Sequence, residues 1–177
     1  MDAFCSPNIE PFLEVDKIGM LWDRPRPDQQ HLKQNVFTFK DDHVGILKLF
    51  PGITVETVRN FIQPKNQKNT YMKGVVLETY GAGNAPTNTD EPSILNELKK
   101  AIVGGVLILN CTQCVKGVVS SDYGTGKVLL DAGVIPGRDI TSEAALAKLL
   151  YVLSKWDQNE EQREMLNSNF RNEITHN

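Results

Sequence analysis

Short apolar runs alternate along this chain with stretches in which apolar residues recur every three or four positions. The runs at 44–50, 74–80 and 106–110 are each closed by glycine, proline or polar residues, which is typical of buried strands. The stretches between them, 55–63 and 92–102, have helical spacing, so each predicted helix joins two predicted strands. Strands joined in this way are expected to pair in parallel, with right-handed crossovers.

Beyond the third predicted strand the pattern is mainly helical. Residues 124–135 predict a short helix that ends at Gly133, and 160–170 predict a polar final helix. The strongest helical pattern is 139–156, with Thr141 or Ser142 as its cap and four leucines as its buried stripe: Leu146, Leu149, Leu150 and Leu153. The predicted fold class is therefore α/β, a small doubly wound, mainly parallel sheet, three or four strands wide, with helices on both faces.

Residues 1–40 differ from the rest of the chain. Four of the nine prolines lie there, together with many Asp, Gln and Asn residues. This composition is typical of loops, an edge strand and a linker. We therefore divide the chain into residues 1–40 and an α/β domain at 41–177.

Composition and charge exclude several classes of function. The 177 residues are 40% hydrophobic and 23% charged, which suits one globular domain. The net charge is −3 and the basic residues are scattered, so no nucleic-acid partner is predicted. No apolar run approaches the roughly 20 residues of a membrane helix, and no signal peptide is visible. Three cysteines are too few for a disulfide framework, which favours a reducing compartment. Together with the lack of a long apolar run, this predicts a cytoplasmic protein with no membrane partner.

The segment GVVLETYGAGNAP (74–86) is the first candidate site. In open α/β sheets, ligands bind beyond the carboxyl ends of the strands, where this segment would place its GAGN turn (residues 81–84). Gly81 and Gly83 let backbone approach a ligand, and the Asn84 amide can donate and accept hydrogen bonds. A second interpretation stays open, in which the glycines serve only the dihedral angles of a helix-entry turn. A dinucleotide site is disfavoured, because the pattern is GxGxxP.

The second candidate is NCTQCVKG (110–117), which contains Cys111 and Cys114. A redox pair would stand at a helix N-terminus, and a zinc site would need two further ligands at short spacing. Neither is found nearby, so we predict no metal and no cofactor. No Ser-His-Asp or Cys-His set can be proposed either. The residues alone thus predict a ligand-facing edge without a catalytic apparatus.

Four segments together resemble a known family. They are DAFCSPN (2–8), LETYGAGNAP (77–86), VLILNCTQCVKG (106–117) and the long run 122–149. The chain resembles the cytosolic (type I) L-asparaginases, and the vertebrate lysophospholipase/asparaginase type in particular. The resemblance covers nearly the whole chain, and GVIPGRDITSEAALAKL (133–149) is its most specific part.

The resemblance implies an amidohydrolase that converts L-asparagine and water to L-aspartate and ammonia. In that family the nucleophilic threonine lies in a TGGTI-like motif, and a DGTDT-like motif and a lysine complete the catalytic set. This chain has no Gly-Gly-Thr, and Thr89-Asp90 lies in a different context. We therefore expect the C-terminal part of a longer enzyme, with 1–40 as a remnant of the catalytic domain and its linker. The chain would hold no catalytic residue and be inactive alone.

For the GAGN turn, the resemblance implies a contact in trans. Gly81, Gly83 and Asn84 would complete the substrate pocket of a neighbouring subunit. The expected partners are L-asparagine, the chain's own N-terminal catalytic domain and further copies in a homo-oligomer.

For the loop after the third strand, the resemblance implies an allosteric site. Bacterial cytosolic members bind a second asparagine there, at positions that match Thr112 and Cys114. Where those proteins have an arginine before the turn, this chain has Glu78, whose carboxylate would repel that of an amino acid.

Two alternatives remain open. One is a free-standing module that senses an amino acid or mediates an interaction without catalysis. The other is the amidase subunit of a tRNA-dependent amidotransferase, which shares this fold, although the acidic charge counts against handling tRNA.

Overall fold

The structure is a computed structural model that describes residues 7–8, 13–15, 20–22, 38, 43–63, 72–88, 90–120, 124–171 and 173–175. The chain divides into two compact units, Met1–Thr38 and Phe39–Asn177. In the first unit, β1 (Leu13–Val15) and β2 (Met20–Trp22) form an antiparallel pair. The assignment of residues 1–40 to a catalytic-domain remnant and linker stays a prediction.

The second unit is a parallel sheet covered on both faces. Its elements are β3 (Val44–Lys48), α1 (Val55–Ile62), β4 (Gly74–Thr79), α2 (Ile94–Val103), β5 (Leu107–Thr112), α3 (Thr125–Asp131), β6 (Ile135–Pro136), α4 (Ser142–Lys155) and α5 (Asn159–Asn167). The strands pair in parallel in the order β3-β4-β5-β6. One apolar cluster joins the sheet to α1, α2 and α3, and a second joins its other face to α4 and α5. The predicted α/β fold, mainly parallel with helices on both faces, is confirmed.

The two central strands, β4 and β5, were recognisable in the sequence because of their burial. β4 and β5 are buried on both faces, so they appear as continuous apolar runs rather than as alternating ones. Three helices begin with a capping side chain that accepts a hydrogen bond from a backbone N–H three residues on: Thr54, Ser93 and Thr141. No described helix is both long enough and apolar enough to cross a membrane.

The structure corrects two details and locates the fourth strand of the sheet. β5 continues to Thr112, beyond the predicted end of that strand at residue 110. The fourth strand, β6, has only two residues, too few for a periodicity to be recognised. In α4, Ala145, Lys148, Leu149 and Val152 are buried. The other three leucines of the predicted stripe (Leu146, Leu150 and Leu153) are only half-buried, because leucines on several sides of a helix leave the phase of its buried face undetermined.

Candidate functional site at the carboxyl edge of the sheet

The two candidate segments meet at the carboxyl edge of the sheet. Thr79, at the end of β4, pairs in register with Thr112, at the end of β5. The GAGN turn follows the first of these strands and the loop 113–120 follows the second. Parallel pairing thus places the two segments side by side, as the sequence predicted from the carboxyl-end rule.

The GAGN turn is closed by backbone hydrogen bonds at its base. The Tyr80 N–H donates to the Asn84 carbonyl at 2.9 Å, and the Asn84 N–H donates to the Tyr80 carbonyl at 2.7 Å. Gly81 and Gly83 have positive φ values of 51° and 104°. A Cβ atom on Gly83 would also lie 2.8 Å from Cγ1 of Val119, so glycine is required there by dihedral angle and by packing. Asn84 itself is exposed.

Two side chains at the end of β5 donate hydrogen bonds to the GAGN turn. The Thr112 hydroxyl donates to the Gly81 carbonyl at 2.5 Å, and the Asn110 amide donates to the Gly83 carbonyl at 3.5 Å. Residues two apart in a strand lie on one face, which is why both reach the same turn. Asn110 is buried, and its Oδ1 accepts a 2.7 Å hydrogen bond from the Thr79 hydroxyl.

Gln113 connects the ends of three strands. Its backbone N–H donates to the Thr79 carbonyl at 2.9 Å. Its side-chain Nε2 donates to the carbonyls of Leu49 and Glu78 at 2.6 and 2.9 Å. The start of the loop after β5 is therefore fixed to β3 and β4 as well as to its own strand.

Further along the same loop, residues 119–120 connect two turns. The Ser120 N–H donates to the Ala82 carbonyl at 3.0 Å, and the Val119 N–H donates to the Arg138 carbonyl at 2.8 Å. The loop thus bridges the GAGN turn and the turn that follows β6. Nearby, a cavity of about 10 Å³ is lined by Asn110, Val119 and Ser120 among others. It has room for about one water molecule and cannot enclose an amino acid.

The two residues of the predicted effector site differ in their surroundings. Thr112 is half-buried, and its hydroxyl accepts from the Cys114 N–H at 3.0 Å while it donates to Gly81. Cys114 is exposed. Glu78, the departure from the bacterial pattern, lies 3.9 Å from the ammonium of Lys48. The structure brings Thr112 directly against the GAGN turn, whereas Cys114 contacts Thr112 through its backbone.

The described cysteines are poorly suited to redox chemistry. Cys111 is buried in the apolar core, and burial raises the pKa of its thiol to about 12. Cys114 is exposed, and both thiols are free. Because redox cysteines need a readily formed thiolate, Cys111 is better explained as a buried residue of β5, and Cys114 lies two residues beyond the end of that strand. Among the described residues, no group of three or more His, Cys, Asp and Glu side chains could hold a metal ion.

Sequence reasoning missed two residues of this edge, Asn110 and Gln113. Asn110 had a detectable signal, since a polar residue directly after four apolar ones in a buried strand must find a partner. Gln113 had none, because its partners are backbone carbonyls far away in sequence.

A parallel sheet with helices on both faces, and a glycine turn fixed over its carboxyl edge, defines an α/β domain of the doubly wound class. The family can be stated more closely. The chain belongs to the family described as the Glutaminase/Asparaginase C-terminal domain, whose model matches residues 43–166.

Individual relatives agree with this assignment. The chain is 44% identical over 156 residues to a Mus musculus protein named "60 kDa lysophospholipase", covering 86% of the chain and 26% of that protein. It is 44% identical over 179 residues to an "L-asparaginase" of Dirofilaria immitis, covering 99% of the chain and 29% of that protein. The crystal structure of L-asparaginase I from Vibrio cholerae superposes with a TM-score of 0.78 at 37% identity, covering 98% of this chain and 50% of that one. The chain thus spans less than a third of the two relatives and half of the solved chain.

Proposed function

We propose that this chain is the C-terminal part of an L-asparaginase and that its GAGN turn completes the substrate pocket of a neighbouring subunit. The observation that carries the proposal is the turn itself. It is fixed at the carboxyl edge by Thr112 and Asn110 and leaves Asn84 exposed. The names of the relatives supply the reaction class, and the turn supplies the residue that would meet the substrate.

The chemistry of Asn84 suits this role. Its amide can both donate and accept, so it can pair with the carboxylate or the ammonium group of L-asparagine. The chain would not supply the attacking group. In the proposed reaction, a threonine of the catalytic domain attacks the side-chain amide of the substrate and ammonia leaves. Water then releases aspartate from the acyl-enzyme.

Exposed apolar side chains support a contact with another domain at this edge. Phe50 follows β3, and Val115 and Val118 lie in the loop after β5, and all three are exposed. Exposed apolar side chains in the loops beside a proposed binding turn favour coverage by another protein surface. The expected cover is the catalytic domain of a second copy, within a homo-oligomer.

The same edge carries the proposed effector site at Thr112 and Cys114. The Lys48 ammonium near Glu78 offsets part of the negative charge that an amino-acid effector would meet there. A sigmoidal dependence of rate on L-asparagine concentration would support this site, and a hyperbolic one would remove it.

The test is ammonia release from L-asparagine by this chain, by a separately made N-terminal catalytic domain and by their mixture. We expect activity in the mixture and none in either part. In the natural protein that contains this chain, Asn84→Ala should lower kcat/KM at least tenfold without changing the melting temperature. Asn167→Ala, which changes an exposed asparagine at the end of α5, is the control and should leave activity unchanged.

Two results would overturn the proposal. Unchanged kinetics for Asn84→Ala would remove the turn from the site. An inactive mixture, with both parts folded, would instead favour the non-catalytic module, which isothermal titration of this chain with L-asparagine would then test.

A further inference from the structure

The hydroxyl of Thr112 occupies an unusual position between the two candidate segments. A threonine hydroxyl has one proton to donate and two lone pairs that accept. Here the proton goes to the Gly81 carbonyl at 2.5 Å, and the oxygen accepts the Cys114 N–H at 3.0 Å. One side chain thus holds the GAGN turn with its proton and the following loop with its oxygen.

The turn depends on such outside bonds for its orientation. Its own backbone bonds join Tyr80, Gly83 and Asn84 at the base. The Gly81 carbonyl accepts none of these backbone hydrogen bonds. Its φ of 51° lies in the left-handed region, which glycine adopts without steric cost and can also leave easily. The second bond from β5, between Asn110 and Gly83, is long at 3.5 Å. The Thr112 hydroxyl therefore gives the shorter of the two side-chain bonds between β5 and the turn.

We propose that Thr112 is a positioning residue for the GAGN turn, and that it orients Asn84 through the hydroxyl bond to Gly81. This inference rests on the proposed function, in which Asn84 meets the substrate. It also affects the predicted effector site, because the Thr112 proton is already used within the protein. Since its single proton is given to Gly81, a carboxylate that took a hydrogen bond from Thr112 would have to displace that carbonyl.

The experiment compares Thr112→Val with Thr112→Ser in the natural protein that contains this chain. Valine keeps the shape of threonine and removes the hydroxyl, whereas serine keeps the hydroxyl. Because a neutral hydrogen bond of this kind affects an equilibrium about fivefold, Thr112→Val should raise KM for L-asparagine about fivefold, with kcat within about twofold of the native value. Thr112→Ser should restore the native KM.

A second readout does not depend on activity. Hydrogen exchange measured by mass spectrometry on peptides covering 78–86 should be about fivefold faster in Thr112→Val and native-like in Thr112→Ser. The matched control is Thr57→Val in α1, which removes an exposed hydroxyl that bonds to the capping residue Thr54. It should leave both the exchange of 78–86 and KM unchanged.

The outcomes separate this inference from the proposed function. Unchanged exchange at 78–86 in Thr112→Val, or failure of Thr112→Ser to restore it, overturns the positioning role. Faster exchange in a protein that does not hydrolyse L-asparagine leaves the positioning role standing and overturns the proposed function. Because only one hydrogen bond of this size is lost, the melting temperature of the valine variant should fall by no more than about 4 °C, which is measured alongside.

Discussion

The carboxyl edge and the C-terminal segment (residues 168–171 and 173–175) are held in different ways. At the edge, neutral side chains donate to backbone carbonyls of an exposed turn. The C-terminal segment is instead held by charged groups of the domain beneath it. The buried ammonium of Lys148, in α4, pairs with Glu173 at 2.8 Å and donates to the Ser168 carbonyl. Asp139, also buried, accepts from the backbone N–H and the hydroxyl of Thr175.

The two kinds of contact should therefore affect different properties: the orientation of the turn at the edge, and the free energy of unfolding at the C-terminal segment. A neutral hydrogen bond contributes about 1 kcal/mol net, so its loss moves a turn without unfolding the domain. A buried charge is different, because removing its partner leaves it desolvated at a cost of roughly 3–5 kcal/mol. We expect substitutions at the carboxyl edge to change function first and those under the C-terminal segment to change stability first.

Lys148→Met should have the largest effect on stability. It removes a buried cation and leaves the Glu173 carboxylate and the Ser168 carbonyl without that partner. We expect a loss of roughly 3–5 kcal/mol in the free energy of unfolding, and a melting temperature lower by about 10 °C. Differential scanning calorimetry of the natural protein measures both.

Lys99→Met is the matched control, because it makes the same substitution at an exposed lysine of α2. It should change the free energy of unfolding by less than about 0.5 kcal/mol. If the two variants melt at the same temperature, the ion pair of the C-terminal segment is not the stabilising feature proposed, and the comparison fails.

Acid should weaken the same segment by a smaller amount. Burial alone would raise the pKa of Glu173, but the hydrogen bonds from Lys148 and from the backbone N–H groups of Phe170 and Arg171 lower it from 4.5 to about 2. Burial also lowers the pKa of Lys148, but within this ion pair the acid-range titration is that of the Glu173 carboxylate. The stabilisation is thus fully present above about pH 4.5 and is lost as the pH falls towards 2.

Glu173→Gln tests this pH dependence. The variant should be less stable than the native protein at pH 6, and the difference should shrink steadily below about pH 4.5. Urea unfolding at a series of pH values measures it. A difference that stays constant down to pH 3 would contradict the assigned pKa.

Local signals were enough to predict most of the fold. The helix predicted at 55–63 is observed at Val55–Ile62, because its spacing and its Thr54 cap are encoded within a few residues. Lys148 was missed because a lysine in a helix is normally solvated, and its partner Glu173 lies 25 positions further on in sequence. The hydrogen bonds that hold the GAGN turn were missed for the same reason, since they join residues about 30 positions apart.

Glycine substitutions give the smallest stability effect and test the carboxyl edge directly. Gly83→Ala places a Cβ at φ 104° and 2.8 Å from Val119, so it should cost about 1–2 kcal/mol and displace the GAGN turn. Gly105→Ala, which lies between α2 and β5 at the opposite end of the sheet, introduces similar backbone strain at φ 93°, but its Cβ meets nothing within 4 Å. It should cost about 1 kcal/mol and leave asparagine hydrolysis unchanged.

The decisive measurement compares kcat/KM in the two glycine variants, which should lose a similar amount of stability. If Gly83→Ala lowers kcat/KM for L-asparagine at least tenfold while Gly105→Ala does not, the position of the turn governs the proposed function independently of folding. Equal activities in a variant with a displaced turn would contradict the proposed role of the GAGN turn. The carboxyl edge would then tolerate the same changes as any other surface turn of this domain, because the precise setting of the GAGN turn would contribute nothing to catalysis.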